Sequence, residues 1–294
     1  MLEFALLLLL LLMGAMLLYR RTPSPEDYTI LQRDYAHGGA YGDLLRERAP
    51  LVLRNVPYAW TQPWTTVRTA RATWPVFAPS LPSGAPVRLS WTEWLHAPSS
   101  DPATLGAPMN VEDLARAAGL KAVARAAAEA LRPRWSWLPG GAALGRVEAR
   151  LARPDQVDGL RKTTAAATVV VATDGAPLRL WLCHAASAEA PGRLPSPPEG
   201  VDPWRLSARE APWAVELKYV EAVLRPGTAL VLPPHMYVAA TTHSSTNETH
   251  ETQAPEAVAA RVHADGAWYY VFECHSAASY VASAVHRAAR SAKR

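Results

Sequence analysis

ELKYVEAVLRPGTALVLPPHMYVAA, residues 216–240, decides how this chain is read. Tyr219 to Leu224 has the aromatic and β-branched content of a strand, and Ala229 to Leu232 is a second, wholly apolar one. Between them stands Arg225-Pro226-Gly227-Thr228. Proline presets φ and glycine tolerates φ > 0, so Pro226-Gly227 suits the two centre positions of a type II turn. A Pro233-Pro234 step then leads into a third strand over His235 to Ala240.

Working outward, the stretch from Arg146 to His184 repeats this grammar. Val147 to Leu151 reads as a strand. Thr168 to Thr173, TVVVAT, is a β-branched run of the kind that fills a buried strand. Asp174-Gly175 reads as a hairpin turn and Leu178 to Cys183 as the returning strand. Farther upstream, Leu51 to Arg54 is a short apolar strand framed by Pro50 and Pro57, with an edge or entry position expected from the prolines. Asn110 to Leu131 predicts a helix. Asn110 can cap it, Glu112 and Asp113 suit its first turn, and Val111, Leu114, Ala118 and Ala122 share one face that can pack on the outside of a sheet. Gly119, inside that span, weakens it by about 1 kcal/mol relative to alanine. Ser279 to Arg294 reads as a final helix with a basic end.

The order strand, x-Pro-Gly-x, apolar strand, Pro-Pro, aromatic strand resembles the C-terminal half of the JmjC-type and cupin-like (cupin-8) barrels, the family of Fe(II) and 2-oxoglutarate hydroxylases. That family carries a segment of the type L-x-P-G-D-x-L-x-I-P-x-x-W-W-H. The frame is kept here as Leu224, Pro226, Gly227, Leu230, Leu232, Pro233 and Pro234. The entry segment Pro50 to Val56 is similar to the family's P-x-V-I-R-N-V opening, and Ser90 to Leu95 matches the short helix the family places before its barrel. The resemblance covers roughly Pro50 to Phe272. It implies a mainly β fold with flanking helices, a double-stranded β-helix or jelly roll.

The family's chemistry needs two histidines and one carboxylate on one face of the iron, with positions left open for the co-substrates. Counted by the family's spacing, the last histidine falls on Val238, which cannot coordinate a metal. The His-x-Asp pair falls within Leu160 to Thr164, LRKTT, where Arg161 and Lys162 would repel a divalent cation. The lysine that holds 2-oxoglutarate is replaced by Ala176-Pro177. Two readings follow. In one, no cofactor is bound and the barrel is a binding or scaffold domain, with Lys162, Thr164, Leu182, His184, His235, Tyr237 and Val238 as cavity candidates and a protein as its partner. In the other, an Fe(II)/2-oxoglutarate hydroxylase keeps a displaced site with ligands drawn from His184, His235, His243 or His275. His263-Ala264-Asp265 is a literal His-x-Asp, but Asp265-Gly266 reads as a turn between two strand-like runs. A third class, a sugar- or nucleotide-binding module, rests on the tryptophans of residues 60–94.

Composition bounds the rest. The chain has 294 residues, 49% hydrophobic and 19% charged, enough to bury a substantial core. Its net charge of +4 is scattered rather than clustered, so no nucleic-acid partner is expected. Cys183 and Cys274 are too few for a disulfide scaffold. Each precedes a histidine, but within a strand neighbours face opposite ways, so one strand can offer Cys or His to a site and not both.

Phe4 to Leu18 is an unbroken apolar run followed by Tyr19-Arg20-Arg21. It is short for a span but extendable by Leu2, Tyr19 and the snorkelling arginines, and it lacks the basic lead and cleavage site of a signal peptide. The expected organisation is a single-pass membrane anchor over residues 1–21, a linker over 22–47, and a barrel domain over 48–294 with the helical insert 110–132. Arg20 and Arg21 put that domain on the cytosolic side.

Overall fold

A computed structural model describes residues 13, 29–37, 41, 44, 49–62, 75–77, 88–90, 112, 115–116, 118–131, 143–152, 157–184, 200–206, 209, 218–242, 266–276, 279–280 and 283. In chain order these form β1 (Leu31–Asp34), β2 (Leu51–Arg54), α1 (Tyr58–Thr61), β3 (Pro75–Phe77), β4 (Arg88–Ser90), α2 (Leu120–Ala130), β5 (Ala143–Ala152), β6 (Asp158–Lys162), β7 (Ala167–Gly175), β8 (Leu178–His184), β9 (Tyr219–Leu224), β10 (Ala229–Leu232), β11 (Met236–Thr242) and β12 (Ala267–His275). The architecture is mainly β. A six-stranded sheet runs β1-β2-β10-β7-β12-β5, a four-stranded sheet runs β6-β11-β8-β9, and β3 pairs with β4 apart from both. Every pairing is antiparallel except that of β1 with β2. β1 lies within the segment predicted as a linker, and β2 sits inside its sheet rather than at the edge that its prolines suggest.

Alternation of side chains builds the layers. On β7 and β12, Val169, Val171, Tyr270 and Phe272 face outward and pack with Trp60 of α1 and with Leu120, Ala124 and Ala127 of α2. Their neighbours Val170, Ala172 and Tyr269 face inward and meet Leu178, Leu180 and Leu182 of the other sheet. The two sheets thus share one apolar interior. On the outer face of the small sheet, Leu160, Trp181, Cys183, Tyr237 and Ala239 form a third cluster with Trp204.

Two predicted turns are placed correctly but connect differently. The Asp174-Gly175 turn, predicted as a hairpin, carries the chain from β7 in the large sheet to β8 in the small one. β7 is already flanked by β10 and β12, so no free edge remains beside it. Gly175 is required there: its φ is +88°, and a Cβ would stand 1.9 Å from the carbonyl oxygen of Gly266. The Pro226-Gly227 turn likewise passes from β9 to β10 in opposite sheets.

The predicted helix 110–131 breaks at Gly119, whose φ of +71° is left-handed, and α2 begins after it. Its inner face is Leu120, Ala124, Ala127 and Ala128, where alanines let the backbone approach the sheet closely. The run Phe4 to Leu18, apart from Met13, lies outside the described residues, as does most of the final helix and the segment following Ser90. Among the described residues no helix is long and apolar enough to cross a membrane.

Candidate functional site

The corner where β6 turns into β7 and β10 turns into β11 holds the positions to which the metal ligands were counted. Val238 of β11 stands opposite Arg161 of β6 and Leu182 of β8. Val238 and Leu182 both pack in the apolar interior between the sheets. Lys162 and Tyr237, one residue away on each strand, point the other way: the Lys162 ammonium lies 5.7 Å from the Tyr237 ring centroid, and Tyr237 belongs to the outer-face cluster. The predicted cavity residues on these strands are therefore divided between two faces of one sheet, Val238 and Leu182 inward and Lys162 and Tyr237 outward, because adjacent strand positions cannot share a face, while Thr164 and His235 lie in the connections after β6 and before β11.

Thr163 closes this corner. Its hydroxyl donates to the Pro233 carbonyl at 2.8 Å and accepts from the Met236 N–H at 2.9 Å. Its backbone N–H donates to the Met236 carbonyl at 2.7 Å, and its carbonyl accepts from the His235 N–H at 2.9 Å. His235 adopts a φ of +64°, an uncommon conformation for a non-glycine residue that this pairing holds in place. Thr164 meets the C-terminal segment, with the Ser283 hydroxyl 3.0 Å from its own.

Beside Val238 the space between the sheets is charged. Glu148 and Arg150 sit on the face of β5 opposite to Val147 and Ala149, and both are buried, at 6% and 8% exposure. The Arg150 guanidinium donates to Glu148 and, at 2.8 Å, to Asp158. Arg161 joins the same carboxylates, at 3.3 Å to Glu148 and 2.6 Å to Asp158. Arg146 bridges Glu148 and Glu112. The Tyr269 hydroxyl donates to Asp158 at 2.6 Å.

Burial drives the Asp158 carboxyl above its ordinary value, against the pull of Arg150 and the Tyr269 hydrogen bond. Burial, then the charge of Asp158, pushes the Tyr269 phenol well above its usual value. For Arg150 burial works against the charge, yet Asp158, Tyr269 and Glu148 together raise its pKa. Arg161, expected from sequence to repel a divalent cation, is here the neutralising partner of two carboxylates.

Among the described residues the candidate histidines stand on different elements. His184 ends β8 and His275 ends β12, in different sheets. His275 Nε2 lies 3.1 Å from Glu273 Oε2, and its Nδ1 lies 3.4 Å from the Ser279 hydroxyl, which caps the segment starting at Ser276. His243 lies outside the described residues. Among the described residues no three His, Cys, Asp or Glu side chains are placed to hold a metal ion.

Cys183 and Cys274 are buried in different sheets, with the Cys274 thiol pushed up to about 12 by burial and then by Glu273, as suits an inert thiol. Sequence reasoning missed Thr163, Glu148, Arg150, Asp158 and Tyr269. The available signal was the alternation of Arg146, Glu148 and Arg150 along β5, but such a face reads equally as a solvated one. Compared with known proteins, the chain matches no family model and no curated protein sequence.

Proposed function

We propose that this chain is a binding or scaffold protein built on a double-stranded β-helix, without the iron chemistry of the barrels it resembles. The strand order supports the fold. From β5 to β12 the chain lays down β5-β12-β7-β10 in one sheet and β6-β11-β8-β9 in the other. Among the described strands only the β8–β9 connection stays within a sheet, and the long insert between them returns to cover the outer face through Trp204. Such an order supports a jelly-roll winding.

The observation that carries the functional reading is the corner at Thr163 and Val238. At the position counted for the last histidine Val238 fills the apolar interior, and within the window counted for the His-x-Asp pair, Leu160 to Thr164, Thr163 binds the Pro233–Met236 backbone. The neighbouring carboxylates, Glu148 and Asp158, are held by guanidinium groups. A divalent cation entering there would have to displace Arg150 and Arg161 from buried partners, so these residues do not fit Fe(II). In the same reading, residues 4–18 anchor the protein in a membrane and place the barrel on its cytosolic side, where a protein partner is bound.

The test is metal analysis of the purified full-length chain after incubation with Fe(II) under anaerobic conditions, together with 2-oxoglutarate turnover. Substoichiometric iron and no co-substrate consumption are expected. Stoichiometric iron with turnover would replace this reading by the hydroxylase with a displaced site.

A further inference from the structure

The small sheet treats its two edges differently. At β6 the segment Gly200–Val201 closes the edge: Leu160 N–H donates to the Val201 carbonyl and Gly200 N–H to the Leu160 carbonyl, both at 2.8 Å. At β9, among the described residues, no backbone group pairs with the outer edge. Natural edges are guarded by proline, bulges or charge. β9 has no proline, and its register with β8 is unbroken. Its one charge, Glu221, is neutralised by Arg179 in a paired contact at 2.9 and 2.7 Å. On either side of Glu221 the same face presents Tyr219, 53% exposed, and Val223, 47% exposed.

This pattern is self-complementary, and we propose that β9 pairs antiparallel with β9 of a second copy of this chain, about a two-fold axis through Glu221. In that register Tyr219 of each copy lies opposite Val223 of the other, an aromatic and β-branched cross-strand pair formed twice. The two Glu221 carboxylates meet at the axis. Like charges directly opposed would oppose pairing, but each carboxylate is already neutralised within its own copy by Arg179 and by the Trp204 indole N–H at 2.9 Å, so two locally paired carboxylates, not two bare charges, meet at the axis. The contact is isologous, as closed dimers require, and it joins two four-stranded sheets through their backbones. A strand from an unrelated partner could use the same edge, but it would not need the Tyr-x-Glu-x-Val symmetry that β9 carries.

The register makes a specific demand on full-length protein. When Tyr219→Cys and Val223→Cys variants are mixed and oxidised, a disulfide-linked dimer is expected on a non-reducing gel, while neither variant alone forms one. The native thiols are buried and stay out of the reaction. In sedimentation, Val223→Lys is expected to weaken the dimer roughly tenfold, with its thermal unfolding unchanged. A wild-type chain that sediments as a monomer at its highest soluble concentration overturns the proposal. So does a Val223→Lys variant that dimerises as the wild type does, or cross-linking of either single variant as strong as that of the mixture.

Discussion

Thr163 makes four hydrogen bonds across the corner between β6 and β11, two from its side chain and two from its backbone. Replacing it with valine keeps the shape but leaves the Met236 N–H and the Pro233 carbonyl buried without those bonds. The expected loss is about 1–3 kcal/mol in urea unfolding, the penalty for orphaned buried polar groups. Serine keeps both side-chain bonds and removes one methyl, so Thr163→Ser is expected to lose only about 1 kcal/mol. Equal losses in the two variants would mean that the hydroxyl does not hold the corner. Val238 was legible in the sequence as a residue unable to bind metal, because that follows from its chemistry alone. The role of Thr163 was not, since a threonine at a strand end looks the same whether its hydroxyl meets water or a carbonyl seventy residues away.

Gly119 shows how an element is decided. A helix running from Asn110 to Leu131 makes Gly119 an interior residue, and alanine there would stabilise the protein by about 1 kcal/mol. The observed φ of +71° reverses the sign. No atom stands within 4 Å of the added Cβ, so the backbone conformation alone sets the cost, and Gly119→Ala is expected to lower stability by about 1–2 kcal/mol in thermal unfolding. Strands β7, β9 and β10 were legible because apolar, β-branched runs bounded by Pro and Gly have few other uses. β6, Asp158-Gly159-Leu160-Arg161-Lys162, was not. Its inward charges break the apolar alternation that marks a strand, and only partners on β5 and β12 make their burial tolerable.

At the scale of the molecule, those partners tie the two sheets together. Glu148 and Arg150 come from β5 and Tyr269 from β12, both in the large sheet, whereas Asp158 and Arg161 come from β6 in the small one. Replacing Arg150 with methionine takes a buried cation from Glu148 and Asp158, leaving them to the more exposed Arg146 and Arg161, and is expected to lower stability by about 3 kcal/mol. Replacing Glu148, Arg150 and Asp158 together with apolar residues of similar size removes the carboxylates along with their cation and is expected to lower it by less than the single change, as denaturant unfolding of both variants would measure. The sequence by itself determined the mainly β character and the positions of the Pro-Gly and Asp-Gly turns. Each is local, resting on what one residue's backbone or side chain permits. Tertiary structure alone decided that those turns cross between sheets, that β9 lies at an edge among the described strands, and that Arg161 neutralises largely buried acids. Strand partners and charge partners are set by residues distant in the chain, and no local pattern of hydrophobicity or charge encodes which of them will meet.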